Sequence, residues 1–188
     1  KEIAVECGFI APIYTVTGWN SASGAKIPVD EVVPVFGGYC EAPWENHMNR
    51  LSPSPHYFFN RMRNDSAIGT DLIAKTQSDG WQLPYERYPF ATCELGGGIE
   101  VTHHRRPIIK PMDIYAVSLV KLGDGNNLVG YYMYHGGTNK IGELSTFNET
   151  KATGYPNDYP ILSYDFQAPL SEYGEVREQY GLLNMLHM

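Results

Sequence analysis

LVGYYMYHGGTNK, residues 128–140, carries two different signals in quick succession. From Leu128 to His135 it is rich in residues that suit a pleated, half-buried surface, so it reads as a strand. Gly136-Gly137-Thr138-Asn139 then reads as a turn, because glycine tolerates backbone angles that other residues avoid. A plain core strand would end in Val, Ile or Leu, whereas this one presents Tyr131, Tyr132, Tyr134 and His135 just where the chain turns. Three more runs look like strands: PIYTVTGW (12–19), VVPVFGGYC (32–40) and YPFATCEL (88–95). They too contain Gly, Trp, Tyr, Cys or Glu near their ends, types able to line a site.

Helix candidates lie between and around these runs. KEIAVECG (1–8) reads as a helix tail closed by Gly8. HYFFNRMRND (56–65) follows SPSP, a helix-starting signal with Pro tolerated in the first turn. KPMDIYAVSLVKLGDG (110–125) sets Ile114, Val117, Val120 and Leu122 near helical spacing. SEYGEVREQYGLLNMLHM (171–188) opens with Ser and acidic residues and then turns apolar, although Gly174 and Gly181 weaken it. Strands alternating with helices predict an α/β protein with parallel strands and crossover connections. In such folds, site residues gather at the C-terminal ends of the strands. The stretch 44–84 reads as long and loop-rich, and no internal repeat is evident.

A length of 188 residues allows one sizeable core or part of a larger one. The net charge of −7 argues against nucleic acid or an anionic membrane surface as partner, since both reward basic patches. No apolar run is long enough to span a membrane. The chain starts at Lys1 with no initiator Met or signal pattern, so a trimmed piece of a longer protein is expected. Cys7, Cys40 and Cys93 fit no zinc pattern or disulfide framework and read as buried free thiols.

Glu94 is the strongest single candidate for chemistry. It ends an apolar strand and precedes Leu95 and three glycines, which are expected to open space beside it. A carboxylate at that strand end can reach a ligand cleft. It can equally cap the following turn or pair with Arg105. His103, His104, Arg105 and Arg106 lack metal-ligand spacing and a phosphate loop, so they read as anchors or salt links to nearby carboxylates. His135 reads as a satisfied buried histidine. No G-x-S-x-G elbow is present. Trp19, Tyr39, Trp44, Trp81, Tyr132, Tyr134 and Tyr164 fall mostly at strand ends or in loops. Their rings and polar tips suit the C–H faces and hydroxyl edges of sugars, with core packing as the alternative for about half of them.

YYMYHGGTN (131–139) followed by LSYDFQAPLSEYG (162–174) closely resembles glycoside hydrolase family 35, the β-galactosidases. PFATCEL (89–95) is similar to that family's seventh barrel strand, which ends in the nucleophile, and the runs at 12–19 and 32–40 to its fifth and sixth. The resemblance implies the C-terminal half, strands five to eight, of a (β/α)8 TIM barrel, since a whole barrel needs about 250 residues. It implies a retaining hydrolase releasing terminal β-D-galactosyl residues, with Glu94 as nucleophile and Tyr132, Phe166, Trp19 and Tyr39 around the sugar. Phe166 stands where many relatives carry a second sugar-contacting Tyr. LGGGIEV after Glu94 and Lys140 after GGTN also depart from the family pattern, which bears on galactose specificity and the aglycone side. No ENEYG-type acid/base motif occurs, so the acid/base is expected upstream of Lys1. The alternative is a non-catalytic sugar-binding or structural half-barrel. The expected partner is a β-galactoside oligosaccharide or glycan, with no metal and no cofactor. Open barrel edges imply self-association. By resemblance, the compartment is secreted, periplasmic or lysosomal.

Overall fold

Apolar and β-branched residues at Val33, Val35 and Phe36, at Ala91 and Thr92, and at Leu128 and Val129 favour extended chain and place three strands side by side. The computed structural model describes residues 1–16, 30–42, 45–63, 84–144 and 162–188. Its strands are β1 (Tyr14–Val16), β2 (Val33–Gly38), β3 (Ala91–Gly96) and β4 (Leu128–Tyr132). They pair in chain order, β1-β2-β3-β4, and every pairing is parallel. Each lies within or within a residue of a run read as a strand; residues 17–19 of the first run lie outside the described residues. Gly37 stands opposite Glu94, and Leu95 opposite Tyr131. The register is irregular between Phe36 and Gly37 and between Thr92 and Leu95, beside Glu94, where such a break re-aims side chains.

Parallel neighbours need a crossover, and α2 (Pro111–Gly123) supplies the one from β3 to β4. Pro111 suits a first turn, and the Lys110 N–H donates to Asp113 Oδ2 at 3.1 Å. The buried residues Ile114, Val117, Ser118 and Lys121 repeat at three and four positions and so share one face. Ile114 and Val117 pack with Cys40, with Leu95 of β3 and with Leu183 of α3 (Glu178–Leu186). Val129, Tyr131 and Tyr134 flank this cluster. Each fully buried aliphatic side chain contributes about 1.5–3 kcal/mol, so this layer holds the helices on the sheet. No described helix is long and apolar enough to cross a membrane.

Two helix expectations are corrected. The stretch read as a helix at 56–65 forms a 3₁₀ turn at Pro55–Tyr57 and then runs irregularly as far as it is described. The N–H groups of Asn60 and Arg61 are drawn to Asp124 Oδ2 at 3.2 and 2.9 Å, and Arg61 adopts φ +50°. These tertiary bonds compete with the i−4 bonds a helix would need. The stretch 171–188 is helical only from Glu178, because Ser171 Oγ accepts the N–H groups of Tyr173 and Glu175 and Gly174 turns the chain at φ +84°. Before that lies α1 (Glu2–Glu6), a short helix with no buried residue, closed by Gly8 at φ +82°.

The glycines after Glu94 also act differently from expectation. They do not leave open space; they admit other parts of the chain. A Cβ on Gly96 would lie 2.7 Å from Cδ1 of Tyr39. One on Gly97 would overlap the Met133 carbonyl, and one on Gly98 the carbonyls of Phe166 and Gln167. His135 is exposed, not buried, with Nδ1 against the Gly136 carbonyl. Cys7 is exposed, Cys40 is buried and Cys93 is partly so; all three are free thiols. Burial, aided by the carboxylates of Asp113 and Glu94 respectively, pushes Cys40 and Cys93 up to about 12, which makes them poor nucleophiles.

A two-stranded antiparallel ribbon, β5 (Gly137–Thr138) with β6 (Ser163–Tyr164), follows the sheet. Glu172 bridges it, accepting from Thr138 Oγ1 and from Ser163 Oγ. Asp165 closes the next turn. Its Oδ1 accepts the Glu172 N–H at 2.8 Å and its Oδ2 the Gln167 N–H at 3.2 Å. Arg177 Nη2 reaches both oxygens, at 3.0 and 2.8 Å, while Nη1 donates to the Ala168 carbonyl at 2.7 Å. Burial disfavours the Asp165 charge, yet these hydrogen bonds and the Arg177 charge outweigh it and hold the carboxyl below its ordinary value.

Three substitutions test the packing and the Asp165 turn. In urea melts, Gly98→Ala is expected to destabilise the chain by about 1–3 kcal/mol through overpacking. Gly181→Ala, in α3 with nothing within 4 Å of the added Cβ, is expected to stabilise it by about 0.5–1 kcal/mol. A depressed carboxyl contributes stability above its unfolded value of about 3.9 and loses it as pH falls through the folded one. Arg177→Ala is therefore expected to cost about 1 kcal/mol at neutral pH, with the gap to the parent narrowing in acid below about pH 4.

Candidate functional site

Side chains alternate along a strand, so Leu95 facing α2 turns its neighbour Glu94 to the other side of the sheet. Tyr39 follows directly after β2, and Tyr132 is the last residue of β4. All three thus stand at the C-terminal ends of adjacent parallel strands, where loops rather than further strand meet them. The Tyr39 hydroxyl donates to Glu94 Oε2 at 2.9 Å. Burial pushes the Tyr39 phenol well above its ordinary value, and the Glu94 carboxylate pushes it further, so Tyr39 stays a protonated donor at physiological pH.

An aromatic group surrounds this pair. Phe166 is 5% exposed and packs with Tyr39, Ile99 and Ala168; Tyr132, Met133, Tyr164 and Ile109 lie against that cluster. The Tyr132 ring meets Phe166 edge-on at 5.3 Å and Tyr164 edge-on at 6.3 Å between centroids. Tyr39 and Phe166 lie 6.1 Å apart, and Tyr132 Oη donates to Tyr164 Oη at 3.2 Å. Such edge-to-face pairs each add about 0.5–1.5 kcal/mol beyond area burial and fix ring orientation. Tyr39 and Phe166 are buried beneath, whereas Glu94, Tyr132 and Tyr164 retain exposure. The arrangement is a carboxylate held by a phenol and bordered by aromatic edges and hydroxyls. It can present an oriented nucleophile or base to a ring with polar edges.

Of the residues expected around a ligand, the structure brings Glu94, Tyr39, Tyr132 and Phe166 together. Trp19 lies outside the described residues, as do Trp44 and Trp81. Tyr134, another aromatic singled out at the strand ends, belongs to the opposite layer and packs on Tyr180 of α3. Arg105 turns to Glu41, with Nη2 to Oε1 at 2.7 Å, and to the carbonyls of His47 and Asn49, as expected of a salt link. Among the described residues, no group of three His, Cys, Asp or Glu is placed to hold a metal ion.

Sequence reasoning missed how the Tyr164–Phe166 segment is held. Phe166 and Gln167 both have left-handed backbone, at φ +59° and +48°, which costs about 1–3 kcal/mol at non-glycine residues. Asp165 and Gln167 supply the hydrogen bonds that hold it. The one available signal was the Asp itself, since Asp and Asn side chains commonly bond the backbone two residues on.

A sequence model of glycosyl hydrolases family 35 matches residues 28–188. The match takes in β2, β3 and β4, the antiparallel ribbon, α2 and α3, and with them Tyr39, Glu94, Tyr132, Tyr164 and Phe166. The chain therefore belongs to glycosyl hydrolases family 35.

Proposed function

We propose that this chain is the nucleophile-bearing half of a retaining β-galactosidase, with Glu94 attacking the anomeric carbon of a terminal β-D-galactosyl residue. The observation that carries the reading is the 2.9 Å bond from a buried, protonated Tyr39 to Glu94 at the C-terminal ends of parallel strands. A nucleophilic carboxylate must be ionised and aimed. The Tyr39 hydroxyl donates to Oε2, which favours the charged form and orients the carboxylate. In the first step a Glu94 oxygen bonds to the anomeric carbon as the glycosidic C–O bond breaks, and a general acid protonates the departing oxygen. Water then attacks the glycosyl ester, deprotonated by the same acid/base residue, and the carboxylate is released. Tyr132 and Tyr164 offer hydroxyls and ring edges to the sugar, with Tyr39 and Phe166 as the floor beneath.

In this reading the second carboxyl comes from outside these residues, and the sheet is strands five to eight of a (β/α)8 barrel. Two features support that. The strands run in strict chain order with parallel pairing, the arrangement of a singly wound barrel wall. Both sheet edges are also left without a further strand among the described residues, and each edge strand exposes a large apolar side chain. Tyr14 of β1 is 67% exposed and Leu128 of β4 58%. Open edges recruit further chain.

The test is to assay the full-length protein and this chain on aryl β-galactoside, β-glucoside and β-glucosaminide. Glu94→Gln in the full-length protein is expected to lower kcat by roughly a thousandfold or more, as loss of a nucleophile does. Parent-level turnover by that variant would sink the assignment of Glu94, and turnover by this chain alone would show that the acid/base lies within it. In light scattering the isolated chain is expected to self-associate. A monodisperse, folded monomer would argue against the open half-barrel.

A further inference from the structure

We infer that Gln167 is a positioning residue for this site, acting through an amide clamp that holds the Tyr164–Phe166 segment against the loop leaving Glu94. The inference rests on the reading of Glu94 and its aromatic surround given above. The Gln167 side-chain amide makes three bonds to that loop, using both of its N–H donors and one acceptor site of its oxygen. Nε2 donates to the Ile99 carbonyl at 3.1 Å and to the Pro107 carbonyl at 2.9 Å, and Oε1 accepts the Ile109 N–H at 3.1 Å. Its backbone is pinned too: the N–H donates to Asp165 Oδ2, and the carbonyl accepts Gln179 Nε2 of α3 at 2.8 Å.

What the clamp joins decides its role. Ile99 follows Glu94 by way of Gly96, Gly97 and Gly98, is fully buried, and packs on Tyr39 and Phe166. Phe166 immediately precedes Gln167 and touches the rings of Tyr39, Tyr132 and Tyr164. The carboxylate and the rings of Tyr164 and Phe166 therefore sit on two segments far apart in the chain, and the Gln167 amide links one to the other. It does so beneath the site, through backbone groups of Ile99, Pro107 and Ile109, so its effect on chemistry passes through the placement of Phe166, Tyr164 and Tyr39.

The chemistry of the clamp makes it specific to an amide. Two carbonyl oxygens face Nε2, and a carboxylate there would set acceptor against acceptor. A Glu at this position would have its folded pKa raised, because protonation restores one O–H donor. Its penalty on folding is therefore present above that pKa and relieved as pH falls through it.

The experiment compares Gln167→Glu and the near-isosteric Gln167→Met with the parent at about pH 7 and about pH 5, either side of a raised carboxyl pKa. In the full-length protein, well below the melting temperature, Gln167→Glu is expected to lower kcat/KM for an aryl β-galactoside about tenfold at neutral pH, a modest misplacement of the site. Activity should recover toward the parent in acid, while Gln167→Met stays impaired equally at both. Melting temperature and the near-ultraviolet circular dichroism of the tyrosines in this chain should follow the same pattern. Melting of Gln167→Glu that tracks the parent at both pH values would overturn the clamp. Melting that shifts with pH while kcat/KM and the tyrosine dichroism match the parent would reduce it to a structural bond and overturn the positioning role. A parent inactive on every aryl β-glycoside would overturn the functional reading instead, and the tyrosine dichroism would still decide whether Gln167 positions the rings.

Discussion

The backbone of Gly98 lies directly beneath the carbonyls of Phe166 and Gln167, and most of the site depends on that close approach. A side chain at Gly98 would push the two segments apart, and with them the carboxylate and the rings that border it. Close approach of two backbones strands polar groups, each of which needs a partner. The structure supplies partners from three sources: the Gln167 amide for the Ile99 and Pro107 carbonyls, Asp165 for two N–H groups, and Arg177 for the Ala168 carbonyl. Packing and hydrogen bonding thus support one geometry, which lets two non-glycine residues keep left-handed backbone.

That geometry separates the two layers of the sheet by task. On one side Leu95, Val129 and Tyr131 meet Ile114, Val117 and Leu183, a largely apolar layer that secures the helices. On the other, Tyr39 reaches Glu94 while Tyr132 stands edge to face with both Tyr164 and Phe166. Strand alternation sends Leu95 and Glu94 opposite ways, so one short strand serves both stability and chemistry. Tyr39 is the link between burial and function. Its ring is enclosed, its phenol is kept protonated, and its one polar tip meets the carboxylate.

Much of this was legible in the sequence, and the parts that were not share a cause. The four strands follow from runs of β-formers punctuated by Gly and Asn, and α2 follows from Pro111 and the spacing of Ile114, Val117 and Val120. The helix expected at 56–65 failed because Asp124, more than sixty residues away, captures the N–H groups of Asn60 and Arg61. His135 reads as a buried histidine because it ends a run with strand character, yet the strand itself ends at Tyr132 and leaves it exposed. Local propensity is blind to partners supplied from a distance.

The alternation of strands and helices, the position of Glu94 at a strand end, the concentration of tyrosines nearby and the resemblance to glycosyl hydrolases family 35 can all be read from the residues in order. These are properties of short, contiguous stretches, where side-chain type and spacing carry the information. Which tyrosine holds the carboxylate, which rings face each other and what the three glycines admit emerge only in the folded chain. Those depend on backbones meeting from segments some seventy residues apart, Gly98 with Phe166 and Ile99 with Gln167. The physical reason is that hydrogen bonds and van der Waals contacts act over a few ångströms in space, whatever the separation along the chain.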